Sequence, residues 1–166
     1  MNLDVETLLR SIAGELKQHP AMGDETAIIG VRTGGVWVAE RLHAELGLTV
    51  PLGELNIAFY RDDFSRIGLH PTVEPSNLPF DVDNRHLVLV DDILFTGRTV
   101  RAAMNEIFDY GRPASVTLVV LVERDGRELP IRADIAGTRL SLAPSEHVKL
   151  LGPDPLRLEL WQAKKA

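Results

Sequence analysis

The chain has 166 residues, with 18 Lys and Arg against 24 Asp and Glu, a net charge of −6 and no cysteine. That length predicts one domain, 1–166, with room for a sizeable core, and the absence of thiols excludes disulfides and thiolate metal sites. The acidic balance argues against indiscriminate nucleic-acid binding, which feeds on a basic surface, and leaves room for a local basic patch.

Val5, Leu8, Leu9, Ile12, Ala13 and Leu16 recur at helical spacing, so a first helix is expected over 4–18, ended by His19-Pro20. Ala27–Val31 is an apolar run that reads as a buried strand. Arg32-Thr33-Gly34-Gly35 follows, then a helix with Val36, Ala39, Leu42 and Leu46 on one side and Gly47 just past its end. A helix start behind Arg32 and Thr33 makes an anion pocket in form, although a lone Gly-Gly turn is also an ordinary structural feature. Pro51–Tyr60 reads as a strand in which Leu55, Ile57 and Phe59 alternate. Arg61-Asp62-Asp63 and a polar, Pro-rich stretch over 65–79 come next, a connection long enough to be functional or disordered.

The centre of the chain is His86–Gly111. Leu87–Val90 is the kind of run found in central parallel strands. Apolar residues at 100, 103, 104, 107 and 108 then mark one face of a helix, with Gly111 placed for a left-handed cap. Between them stand Asp91 and Asp92, then Thr96-Gly97-Arg98-Thr99. A loop opening a helix offers unpaired N–H groups and the positive end of the macrodipole; Gly97 allows close approach, and two threonines add hydroxyls. The two acids would repel a phosphate, so they call for ribose hydroxyls or a magnesium ion shared with phosphate oxygens. The plainer alternative is two acids solvating a strand end and two threonines capping a helix.

Val116–Val122 is the next expected parallel strand, followed by a long loop over 123–132, a strand resuming at Asp134–Ala136, and two edge strands over 147–151 and 156–160. No Walker element, no dinucleotide Gly-x-Gly-x-x-Gly and no histidine cluster with ligand spacing is present. No apolar run approaches the roughly 18 residues that span a bilayer, and the N-terminus lacks a signal-peptide layout, so a cytoplasmic protein without membrane contact is expected.

Val-Leu-Val-Asp-Asp-Ile-Leu-Phe-Thr-Gly-Arg-Thr (88–99) resembles the phosphoribosyl-pyrophosphate (PRPP) motif of type I phosphoribosyltransferases. Gly-Arg-Pro-Ala (111–114) and Arg-Glu-Leu-Pro-Ile-Arg-Ala-Asp (127–134) narrow the likeness to the branch that joins uracil phosphoribosyltransferase activity to control of pyrimidine operons. The likeness covers nearly the whole chain. It implies an α/β fold with a central, mostly parallel sheet flanked by helices, a hood and a flexible loop. The implied reaction takes uracil and PRPP to UMP and pyrophosphate with Mg²⁺. By the same likeness Thr96, Gly97, Arg98 and Thr99 hold the 5′-phosphate, and Asp91 and Asp92 hold the ribose hydroxyls and, through water, the metal. Arg32 joins the two acids as a catalytic residue and forms a pyrophosphate loop with Thr33, Gly34 and Gly35, where relatives often have a cis peptide and some carry a basic residue at the position of Gly34. Arg61, Asp62 and Asp63 fall in the flexible loop, and Arg127, Leu129, Pro130 and Ile131 in the nucleobase hood. Uridine nucleotides (UMP, UTP) as signals, a pyrimidine mRNA leader as partner and a homo-oligomer, dimer or larger, follow from the same source. A catalytically weak RNA-binding regulator and a purine phosphoribosyltransferase remain as alternatives.

Overall fold

Asp4 starts the first helix: its carboxylate accepts the N–H of Thr7 at 3.2 Å and the Thr7 hydroxyl at 2.6 Å. Helix α1 (Val5–Lys17) then buries Val5, Leu8, Leu9, Ile12, Ala13 and Leu16, the stripe its spacing predicts. The computed structural model describes residues 3–57 and 75–164; Arg61, Asp62 and Asp63, and with them most of the stretch expected as a flexible loop, lie outside the described residues. Strand β1 (Ala27–Val31) feeds α2 (Gly34–Leu46), which stops at Gly47 in the left-handed region, φ +61°. Next come β2 (Gly53–Leu55), β3 (His86–Leu94), α3 (Arg98–Tyr110), β4 (Ser115–Arg124), β5 (Ile135–Leu140), β6 (Glu146–Leu151) and β7 (Arg157–Gln162).

Five strands form one sheet in the order β2-β1-β3-β4-β5, and every pairing is parallel. A parallel sheet is covered on both faces, which is why its central strands carry near-continuous apolar runs. Ile28, Val88, Val90, Val119 and Leu121 pack with α1 and α2. Their neighbours Ala27, Ile29, Leu87, Leu89, Leu118 and Val120 pack on the other side with Val100, Ala103 and Ile107 of α3. From β1 the chain moves outward to β2, and from β3 it moves outward the opposite way to β4. The loops after β1 and β3 therefore part at the carboxyl edge and leave a crevice between them, the place where open α/β sheets bind ligands.

Several boundaries differ from the sequence expectation. The strand expected over 51–60 is only Gly53–Leu55 among the described residues, because β1 offers partners through residues 29–31 alone. Phe108 is 53% exposed, since the helix stripe centres on Val100, Ala103 and Ile107. Gly111 is not a left-handed cap; its backbone is extended (φ 160°), and its small size serves a close approach instead, a Cβ there standing 2.6 Å from Asp83 Oδ1. The two C-terminal strands are not edges of the main sheet: β6 and β7 pair antiparallel with each other about the Gly152-Pro153-Asp154-Pro155 turn, and Leu150 is buried against the α1–α2 core. No helix among the described residues is long and apolar enough to cross a membrane.

Gly30 sets how closely α2 rides on the sheet. A Cβ there would stand 2.7 Å from the Val36 Cα and 2.9 Å from both the Ala39 Cβ and the Gly35 carbonyl oxygen. Overpacking of this kind costs roughly 1–3 kcal/mol. Gly30→Ala is therefore expected to lower unfolding free energy by about that amount in urea denaturation.

Candidate active site

Asp91 and Asp92 lie at the carboxyl end of β3, inside the strand and not in the loop expected after Val90. The cause is β4, which runs on to Arg124 and supplies Val120, Val122 and Glu123 as ladder partners for Asp91, Ile93 and Leu94. Asp91 is buried and borders a small cleft of about 140 Å³ together with Thr96, Gly97 and Thr99. Asp92 is half-buried and lies toward α2, so near Gly34 that a Cβ on that residue would collide with its carboxylate. Each acid is oriented by the next peptide: Asp91 Oδ1 accepts the Asp92 N–H at 2.9 Å, and Asp92 Oδ1 accepts the Ile93 N–H at 2.8 Å.

Helix α3 opens beside them. Its N-cap is Gly97 at φ +95°, a conformation that disfavours any Cβ, so the cap residue itself supplies no side-chain bond. Thr96 makes the turn by accepting the Arg98 N–H on its hydroxyl at 3.2 Å. The helix mouth and its positive dipole end thus border the cleft that holds Asp91. Arg98 turns to Glu128, Nε to Oε1 3.4 Å, with both side chains about half exposed. It adds to the local field more than to the contacts.

The second loop meets the first. The Arg32–Thr33 peptide is cis. The Arg32 N–H donates to the Leu55 carbonyl at 2.9 Å, and its guanidinium reaches Glu54, Nη2 to Oε2 2.8 Å. Helix α2 begins at Gly34 with no side-chain cap on Thr33. A Cβ on Gly35 would stand 2.7 Å from the Val90 carbonyl oxygen and 3.1 Å from the Asp91 Cα. Arg32–Gly35, the acid pair and Thr96–Thr99 therefore share one edge of the sheet. Among the described residues no group of three or more His, Asp or Glu forms a ready metal cage. Two adjacent carboxylates suit an ion that keeps its water and takes other ligands from phosphates, as Mg²⁺ does.

The Phosphoribosyl transferase domain family matches residues 2–147. A Bifunctional protein PyrR of Nitrosococcus oceani is 62% identical over 164 residues, covering 96% of this chain and 93% of that protein. Another, of Pseudomonas putida strain W619, is 60% identical over 92% of this chain and 90% of that protein. The chain belongs to the PyrR family of phosphoribosyltransferases. Among solved structures, a hypoxanthine-guanine phosphoribosyltransferase of Bacillus anthracis superposes with a TM-score of 0.67 over 88% of this chain and 83% of that one at 17% identity. The fold is the type I phosphoribosyltransferase fold that the resemblance implies.

In this PyrR-family chain the segment after β4 closes over the mouth of α3. The N–H groups of Glu128 and Leu129 donate to the Thr96 carbonyl at 2.9 and 3.2 Å, and a Cβ on Gly97 would stand 3.4 Å from the Cβ atoms of Leu129 and Ile131. Arg127 is a fastener of this segment: Nε donates to the Ile131 carbonyl at 2.6 Å, Nη1 to the carbonyls of Phe95 and Arg124, and Nη2 to Glu123 at 3.1 Å. Its guanidinium is thereby committed to the protein and ties together the segment expected as the nucleobase hood. A separate groove of about 880 Å³ is lined by Leu129, Pro130 and Ile131 with Arg132 and Arg139, and neither the acid pair nor Thr96 borders it.

Three residues of this site carry no motif. Glu54 holds Arg32. Arg124, only 4% exposed, lies 4.1 Å over the Phe95 ring and donates to the Glu146 carbonyl at 2.8 Å, tying β6 to the active edge. Glu123 lies near the end of β4 as the acid pair lies near the end of β3, and an acid following an apolar run is the signal that could have marked it. Its carboxylate accepts from the Ala133 N–H at 3.1 Å and from Arg139 Nε at 2.8 Å, besides Arg127. Burial pushes this carboxyl up, but the Ala133 N–H and the two guanidiniums outweigh it and hold it below the ordinary 4.5. A folded value below the unfolded one means that its stabilisation is complete above that range and is lost as pH falls through the lower folded value. Glu123→Gln is expected to cost about 1–3 kcal/mol at neutral pH, with the gap to wild type narrowing in acid, as denaturant titrations across the pH range would read.

Proposed function

We propose that this PyrR-family protein converts uracil and PRPP to UMP and pyrophosphate, and that it regulates pyrimidine genes by sensing uridine nucleotides and binding their leader RNA. The observation that carries the catalytic reading is the contact of two helix mouths with one acid pair at the switch point of the sheet. The mouth at Thr96–Thr99 takes the 5′-phosphate, with Gly97 giving the close approach. Asp91 and Asp92 take the ribose hydroxyls and lie near the anomeric carbon, where cationic character grows as the bond to pyrophosphate breaks. Arg32, Thr33 and the backbone of Gly34 and Gly35 receive the departing pyrophosphate. Leu129, Pro130 and Ile131 cover the base, held in place by Arg127. The uracil nitrogen closes the new bond and its proton leaves to solvent; no side chain is assigned as a general base. Asp91 and Asp92 would hold Mg²⁺ through water, and the ion would supply charge neutralisation to the phosphates when bound. Catalysis here is positioning and charge placement with little bond chemistry for the protein itself.

Release of pyrophosphate with each of uracil, hypoxanthine, guanine and adenine tests the substrate. Turnover is expected with uracil, and turnover with a purine instead would support the purine reading that the PRPP motif alone allows. Asp92→Asn is expected to lower kcat at least about tenfold with far-ultraviolet circular dichroism unchanged. Equal steady-state constants would remove that carboxylate from the mechanism.

The regulatory half draws on the relatives, each described as a bifunctional protein, and on the exposed Arg132 and Arg139 of the wide groove. With a net charge of −6, RNA binding must be local. Gel-shift titration against a pyrimidine leader RNA at low and physiological salt is expected to give UMP-dependent binding that weakens with salt. No shift at low salt would leave an enzyme without that function. We place the protein in the cytoplasm and take it to act as a homo-oligomer of this one domain.

A further inference from the structure

We propose that Glu54 is the positioning residue of the pyrophosphate loop, acting through Arg32; the proposal rests on the phosphoribosyltransferase reading of that loop. Arg32 is the loop's only cation, and a long side chain at a loop start has many rotamers to lose on binding an anion. Glu54 removes most of that freedom beforehand. Its Oε2 accepts from both Nε at 3.2 Å and Nη2 at 2.8 Å, and the two side chains are only 26% and 28% exposed. Since a guanidinium is a rigid planar fork, gripping one edge sets the plane of the whole group.

Glu54 is itself fixed from two sides. In the ladder it stands opposite Gly30, two residues before Arg32, and its N–H and carbonyl exchange hydrogen bonds with Asn77, both 2.8 Å. The adjoining Leu55 carbonyl accepts the Arg32 N–H, so one short strand holds both ends of the arginine. The negative charge of Glu54 works against a bound anion. At its longer distance that repulsion is screened by water, whereas the charge-assisted contact to Arg32 is direct, so orientation outweighs repulsion.

Glu54→Ala is expected to raise the inhibition constant for pyrophosphate and KM for PRPP about tenfold, the worth of one charge-assisted hydrogen bond. KM for uracil and inhibition by UMP should move less than about twofold. Glu54→Asp, which retracts the carboxylate by one methylene, should shift pyrophosphate in the same direction, and Glu54→Gln, with an oxygen acceptor at the original reach, should restore it. A merely structural role would move all four constants and the melting temperature together, without rescue by glutamine. Pyrophosphate affinity unchanged or tighter in the Ala and Asp variants overturns the proposal. Calorimetric titration with magnesium pyrophosphate needs no turnover and so judges Glu54 by itself. A wild-type protein that binds pyrophosphate but makes no UMP from uracil would instead overturn the uracil reading alone.

Discussion

The arrangement depends on a contact that only residues without side chains permit. Gly34 and Gly35 begin α2 against Asp92 and against the backbone of Val90 and Asp91, and a Cβ at either position would enter the neighbouring strand or its carboxylate. Gly30 repeats the condition one strand over, beneath Val36 and Ala39. Three glycines thus let a helix mouth slide onto the end of β3, and the crevice left by the reversal of strand order becomes one site and not two. A relative with a basic residue at position 34 would have to turn Asp92 aside, and could do so by pairing with it. Here the acid keeps its place and the loop keeps a single cation.

A second set of contacts fastens the cover over that site. Arg127 ties the carbonyl of Phe95, just past the end of β3, to the carbonyl of Ile131, and reaches Glu123 as well. Glu123 in turn holds the Ala133 N–H and Arg139. Arg124 stacks on the Phe95 ring and bonds the Glu146 carbonyl at the start of β6. Two arginines and a buried acid therefore couple the ends of β3 and β4 to the segment 127–133 and to the C-terminal hairpin. These are partly or fully buried charges, and each is matched by several hydrogen bonds, the condition under which such groups stabilise a fold instead of weakening it.

Sequence alone reveals the sheet and its sites unevenly, and for physical reasons. The α1 stripe, β1 and the turn at Gly47 show in local periodicity, and the structure places them within a residue of the expected bounds. Strand ends do not show, because a ladder lasts as long as its neighbour does: β3 carries on through Asp91 and Asp92 only because β4 is long enough to meet it. The pairing of β6 with β7 could not be told from two edge strands, since both readings need the same alternation. At the site, Asp91, Asp92 and Thr96–Thr99 are legible because they are contiguous in the chain. Glu54 is not, being 22 residues from the arginine it holds. Arg127 reads as a charged hood residue, and only the fold reveals that its donors are spent on carbonyls and on Glu123.

Charge decides how so acidic a protein could hold the proposed substrate, which carries several negative charges. Each helix mouth contributes roughly half a positive charge, so two of them together offer about one. Arg32 adds another, already shared with Glu54. Against these stand two carboxylates, and at an effective dielectric near 20 each would repel a phosphate oxygen about 4 Å away by about 4 kcal/mol. The positive groups roughly cancel the acids and leave little for the substrate. On the proposed reading, a divalent cation brought in with the phosphates would reverse that balance, because the acids would then attract what accompanies the anion. The same two side chains that would exclude bare pyrophosphate would thereby favour its metal-bound form, and the acidity of the edge would become a condition of recognition.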